Sequence, residues 1–300
     1  MSASSPVGVV RRLGWGVVDQ AASSLGNFVL AVVVARALGA DGFGAFSLAY
    51  LTYAFVLSGT RGIATDPLVV RLSGPETPAW RRGVASAAGT SLVAGSVAGG
   101  VCVLLGLLVL PPSLGPAFVT LGAVLPAVLL QDCWRFAFFA VGRPVQALLN
   151  DLLWGGLQLL VVLALVLADR SSVVVYLLAF GVSGAVAAAA GLRQTGIRPR
   201  PALAGAWLRE HHSLGRRYLM ENVAIGGARQ VRFYALGAIV GLTGVGEVRA
   251  AEVLMGPFLV MLMGVSQVAV PEGVQVLGHG AARLRRFCWW LGACQAGAAA

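Results

Sequence analysis

No lysine occurs in this chain; all 22 of its basic residues are arginine. A Walker A site needs its lysine on the phosphates and a Schiff base needs an amine, so an ATP-driven motor and lysine-based covalent catalysis are both excluded within it. Charge of either sign is scarce, at 11% of 300 residues, with only 12 acids. Cysteine is scarcer still. Cys102, Cys133, Cys288 and Cys294 form no CxxC pair and lie in or beside apolar runs, which fits buried free thiols. His211 and His212 stand in a polar segment too isolated for a metal site. No nucleophile elbow or phosphate-cradling glycine loop occurs. Neither an enzyme nor a cofactor is therefore expected.

What fills the chain instead is apolar: hydrophobic residues make up 58% and the mean hydropathy is +0.83. No soluble core needs that much, so the fold class expected is an all-α polytopic membrane protein. Runs near the length of about 20 residues that crosses the hydrocarbon layer cover 13–37, 43–63, 84–110, 116–139, 150–168, 172–192, 216–240 and 249–277, and a ninth starts near Phe287. The first follows Arg11 and Arg12 but is too long and too polar, at Asp19, for a cleaved signal peptide. The net charge of +10 is spread over short loops rather than gathered on one soluble face, which argues against nucleic acid as a partner. Placing the N-terminus in the cytoplasm puts seventeen of the 22 arginines in inner loops or at inner helix ends, so the positive-inside rule sets that orientation in the cell membrane. Trp15, Trp80, Trp134, Trp154 and Trp207 then fall near the inner headgroup region. Outer loops are short, as at Pro111–Pro112 and Asp169–Arg170, leaving no room for an external catalytic domain.

The longest polar stretch runs from Arg193 to Arg217, and its segment AWLREHHSLGRR reads as a linker with an amphipathic helix suited to an anionic leaflet. On either side of it the sequence repeats. A shift of 202 residues lays Asp19 on Glu221, Gln20 on Asn222, Asn27 on Arg229, Gly39 on Gly241, Gly42 on Gly244 and Gly44 on Gly246. Six helices separate the copies, so both enter the membrane in the same direction and an axis along its normal relates them. The expected organisation is a first six-helix lobe at 1–192, a basic cytoplasmic linker at 193–215 and the start of a second lobe at 216–300. That second lobe is expected to be incomplete, with eight helices in all and part of a ninth.

Intramembrane polar residues mark the candidate sites. Asp at a helix centre costs roughly 3 kcal/mol on insertion scales, so Asp19 and Asn27 should face other helices or a wet cavity. Glu221, Arg229 and Arg232 share a face of the seventh helix. The arginines either pair with acids such as Glu221 or Asp19, or offer forked donors to a phosphate or pyrophosphate. Arg61 at the inner end of the second helix reads either as a topology signal or as part of a gate, and Asp66 before Pro67 reads as a helix stop. Gln131, Asp132 and Arg135 approach the inner boundary, with an Asp132 to Arg135 pair expected at i, i+3. Glu252 and Glu272 lie in the eighth helix, where Pro257 permits a kink.

The runs DQAASSLGNF, ARALGADGFGAFSLAY, RGIATDPLVVRLSG and WRFAFFAVGRP resemble the Wzx-type flippases, the polysaccharide-transporter branch of the multidrug/oligosaccharidyl-lipid/polysaccharide exporter superfamily. The resemblance extends over essentially the whole chain and is strongest in the first two helices. It implies two six-helix lobes that move a lipid-linked oligosaccharide outward by alternating access, within a bilayer whose lipids are the other partners. On matching positions it implies Asp19 and Asn27 on a polar face, with Arg229 and Arg232 as cavity cations. The leading expectation is a flippase for a polyprenyl-pyrophosphate-linked glycan. Arg229, Arg232, Asn27 and Arg61 would bind substrate, while Asp19, Glu221 and Glu252 would serve coupling to a proton or monovalent cation, or gating. The alternatives are a cation-coupled multidrug exporter of the same fold, a membrane glycan polymerase or ligase, and a non-transporting fragment.

Overall fold

The computed structural model describes the backbone of residues 6–277, 285 and 289, and the side chains of 28–256, 285 and 289. Among the described residues every regular element is helical. In chain order these are α1 (Pro6–Thr60), a π-helical turn (Arg61–Thr65) leading into α2 (Asp66–Leu72), α3 (Pro78–Leu108), α4 (Gly115–Ala140), α5 (Pro144–Leu167), α6 (Val173–Thr195), α7 (Ala204–Glu210) and α8 (His212–Leu277). Among the described residues six helical spans are long and apolar enough to cross a membrane: Phe28–Leu72, Pro78–Leu108, Gly115–Ala140, Pro144–Leu167, Val173–Thr195 and His212–Gly256. The chain divides into two compact units, Met1–Ala250 and Ala251–Ala300, and all contacts below lie within the first.

Both α1 and α8 are broken at a glycine. Gly39 has φ 68° and ψ 180°, and Gly241 has φ 82° and ψ −177°, a region of backbone space that only glycine occupies without strain. At each the chain doubles back. Leu30 and Leu57 line one cavity, although a straight helix would hold them about 40 Å apart. Val245 likewise comes within 3.4 Å of where a Cβ on Gly237 would stand. The two breaks are 202 residues apart, the shift read from the sequence.

The hairpins also meet each other in a reciprocal way. A Cβ on Gly44 would fall on the carbonyl oxygen of Leu242, and one on Gly246 would fall on that of Ala40. Advancing either contact by the same shift gives the other with its partners exchanged, which is the mark of a two-fold axis passing through the crossing. Beside it Thr243 Oγ1 donates to Asp41 Oδ1 at 3.3 Å. From there the first limb of α8 runs along the second limb of α1. Tyr234 Oη and Thr52 Oγ1 are 2.6 Å apart, Gln230 Nε2 donates to the same hydroxyl at 3.2 Å, and Asn222 Nδ2 donates to Ser58 O at 3.1 Å.

The centre of the remaining bundle is α4, the most buried of the apolar spans. It packs on α3 through facing small residues, Gly99 against Gly122 and Gly106 against Gly115, each leaving room only for the other's backbone. On its other side Gly191 of α6 accepts the Trp134 ring. Thr77 caps α3 and Ser172 caps α6, each side chain accepting an N–H of the first turn.

Two sequence expectations are corrected here. Trp80, Trp134 and Trp207 are buried rather than set in a headgroup belt; Trp134 Nε1 donates to Ala188 O at 3.1 Å. Glycine at 191 makes room for the Trp134 ring, and backbone carbonyls accept from two of the three indoles, Ala188 O from Trp134 and Ile63 O from Trp207. Asp66 and Pro67 do not stop their helix. The helix runs on through the π turn, in which Asp66 N–H reaches back to Arg61 O, and Pro67 is accommodated as the second residue of α2 although it supplies no N–H. The linker segment forms the short helix α7, which buries Ala204 and Trp207, the latter beside Leu68, Trp80 and Val84, and leaves Leu208, Arg209 and Glu210 exposed.

Candidate functional site

A cavity of about 430 Å³ opens between both limbs of α1 and helices α4, α5 and α6. Its charged wall consists of Arg61, Asp132, Arg135 and Asp151, with Gln131 and Gln158 beside them. Arg61 grips Asp132 with two parallel hydrogen bonds, Nε to Oδ2 at 2.9 Å and Nη2 to Oδ1 at 2.5 Å. Its guanidinium also lies 5.0 Å from the centre of the Phe136 ring, so the cation is held on two sides. One turn along α4, Arg135 Nε stands 2.8 Å from Asp151 Oδ2 and its guanidinium 5.5 Å from the Phe139 ring centre.

The second carboxylate is itself fixed. Gln131 Nε2 donates to Asp151 Oδ1 at 2.8 Å and to Asn150 Oδ1 at 3.1 Å. Asn150, fully buried, donates onward to Ala187 O and to Gln194 Oε1, each at 2.9 Å. Buried polar atoms need partners, and this network supplies them to Gln131, Asn150 and Asp151 from α4, α5 and α6 together. The lining is also aromatic. Tyr53 and Trp154 pack on Phe180 at ring-centre distances of 4.9 and 5.2 Å, and Trp154 Nε1 donates to Phe180 O at 3.0 Å.

Two guanidinium and two carboxylate groups leave the wall charge-balanced. A phosphate oxygen pair offers a guanidinium the same fork as a carboxylate, so an anionic headgroup entering the cavity competes with Asp132 and Asp151 for Arg61 and Arg135. The carboxylate it displaces then needs a proton or a cation. Aromatic rings in the same cavity as the charges suit the apolar faces of sugar rings or the first carbons of a lipid.

Of the residues singled out from sequence, Arg61, Gln131, Asp132 and Arg135 line this cavity. The side chains of Asp19 and Asn27 lie outside the described residues, as do those of Trp15 and Glu272. Glu221, Arg229 and Arg232 are exposed on the first limb of α8, and Arg232 lies over the ring of its neighbour Phe233 at 4.9 Å. Arg229 is within electrostatic reach of Tyr50, which lines the cavity. Glu252 falls in the second unit. The Asp132 to Arg135 pair expected within α4 is replaced by the two cross-helix pairs, because each partner on another helix meets the charge more squarely than an i, i+3 neighbour does.

Sequence reasoning passed over Asp151, Asn150, Gln158 and Tyr53. The signal available for three of them was four polar residues, Gln146 included, within one otherwise apolar span, α5. No protein-family model, curated protein or solved structure matches the chain.

Proposed function

We propose that this chain is a transporter of the Wzx type within the multidrug/oligosaccharidyl-lipid/polysaccharide exporter superfamily, and that it moves a polyprenyl-pyrophosphate-linked oligosaccharide outward across the cell membrane. The observation that carries the reading is the reciprocal crossing of the two glycine hairpins, Gly44 on Leu242 and Gly246 on Ala40. Parallel repeats related by an axis along the membrane normal are how one large class of transporters builds alternating access, each repeat opening its own lobe. The sequence motifs and the N-terminus-inside distribution of arginine support the same architecture, with 193–215 as the cytoplasmic linker.

The choice of cargo follows from the cavity wall. Arg61 and Arg135 line the cavity, each beside a carboxylate that an anion could replace. A pyrophosphate carries the charge that would engage them. Asp132 and Asp151, together with Asp19, Glu221 and Glu252, are where a coupling proton or monovalent cation would bind. Reconstitution of the full chain into vesicles with a fluorescent short-chain polyprenyl-pyrophosphate disaccharide tests this. Protein-dependent exposure of the label to an external quencher is expected, and Arg61→Ala should abolish it; a rate equal to that of empty vesicles contradicts the reading.

One observation favours a second reading. Asp132 and Asp151 line the cavity in equal number with the arginines, which suits a cation-coupled exporter of organic cations. Protection of cells against a panel of cationic drugs, lost in Asp151→Asn and kept in Arg61→Ala, would select that reading over the first.

A further inference from the structure

Proline has no N–H, so the carbonyl four residues before Pro67, that of Ile63, receives no hydrogen bond from it. That carbonyl instead accepts from Trp207 Nε1 at 3.1 Å. Trp207 belongs to α7, far along the chain in the linker between α6 and α8, and is 3% exposed. Its ring stacks on His211 with centres 4.0 Å apart. Linker and helix are thus joined at one backbone atom.

The atom lies in an unusual place. Residues Arg61–Thr65 form the π turn, in which the N–H of Asp66 reaches back to Arg61 O. A π turn inserts one extra residue, and each residue of register rotates a helical side chain by about 100°. Where the turn sits therefore decides which way Arg61 points. As built, Arg61 is its first residue and its guanidinium meets Asp132 with both nitrogens.

We propose that Trp207 is a positioning residue for the cavity: by donating to the carbonyl that Pro67 leaves open, its indole pins the π turn in the register that aims Arg61 at Asp132. The linker between the two repeats and the charged wall of the cavity then form one mechanical unit. Movement of α7 releases the Ile63 carbonyl, lets the π turn migrate, and swings Arg61 off its carboxylate, which frees the guanidinium for an anion. The consequence for transport rests on the function proposed above; the coupling between Trp207 and Arg61 does not.

The test uses the full chain in detergent and in vesicles. Trp207→Phe keeps the ring and removes the donor. Amides of residues 62–66 should then exchange with deuterium about tenfold faster while those of α3 and α4 keep their protection. Adding Pro67→Ala, which restores a backbone donor for Ile63, should return that protection. The melting-point losses of Trp207→Phe and Asp132→Asn should combine to less than their sum, since both release the same guanidinium. Unchanged exchange at 62–66, equal acceleration throughout α3 and α4, or additive melting losses would each overturn the coupling. In vesicles Trp207→Phe should slow lipid translocation several-fold, and an unchanged rate alongside faster exchange would overturn the positioning role. If the wild-type chain moves no lipid at all, the flippase reading fails while the exchange and melting measurements still decide this one.

Discussion

Replacing Gly44 by alanine puts a methyl group where the structure has the carbonyl oxygen of Leu242. The obstacle is backbone, so no side-chain rotation relieves it, and the two hairpins must separate by on the order of 1 Å to restore an ordinary carbon-to-oxygen contact. Overpacking of this kind costs about 1–3 kcal/mol, and a main-chain obstacle belongs at the upper end. Alanine's better helix propensity returns about 1 kcal/mol, leaving a net loss near 2 kcal/mol. Gly246→Ala faces the mirror-image obstacle at Ala40 O and should cost the same. The informative variant is the double substitution. Once the crossing has opened for one methyl the second enters space already made, so the pair should be no worse than either single change, whereas unrelated sites would add. Thermal unfolding in detergent, read by loss of the monodisperse size-exclusion peak, measures all three. Gly100→Ala, which meets nothing within 4 Å, is the control and should be neutral or mildly stabilising. Strict additivity of the two crossing variants, or neutrality of either, would refute the reciprocal geometry.

Other consequences are more local. At Gly39 and Gly241 a Cβ meets no atom within 4 Å, yet the backbone lies in the glycine-only region, so alanine at either should cost about 1–3 kcal/mol through strain alone, read in the same unfolding assay. Asp132→Ala strands the Arg61 guanidinium and should cost about 3 kcal/mol, the low end for a broken buried pair because the arginine side chain keeps 31% of its exposure; adding Arg61→Met should recover most of the loss. Trp134→Phe preserves a ring against Gly191 but removes the extra donor to Ala188 O, and a loss of about 1 kcal/mol in unfolding free energy is expected.

Features with a strict local requirement were the ones legible in the sequence. Gly39 and Gly241 could be matched across the linker because a corner at φ near +70° admits no other residue, so the glycines stayed in register while the helices around them diverged. Long apolar runs gave the helices for the same reason: the bilayer leaves backbone groups no other partner. The candidate site was hidden because its pairs join residues far apart. Arg61 and Asp132 are 71 positions apart, and nothing near either names the other, so a charge at a helix end read equally well as topology. Trp134 and Trp207 misled by type, since an indole favours a membrane interface only when the interior offers no carbonyl, and here Ala188 O and Ile63 O were on offer. Pro67 misled by its usual effect, which a π turn and a distant indole offset.

The central claim joins a pseudo-two-fold helix crossing to a cavity that hands an anionic lipid headgroup across the membrane. Its most direct test is the leaflet distribution of the polyprenyl-pyrophosphate-linked precursor in cells depleted of this chain and complemented with wild type, Arg61→Ala or the control Gly100→Ala. The account predicts precursor trapped on the cytoplasmic leaflet after depletion, released by wild type and by Gly100→Ala, and still trapped with Arg61→Ala. An unchanged leaflet distribution on depletion, with surface polysaccharide intact, would contradict it.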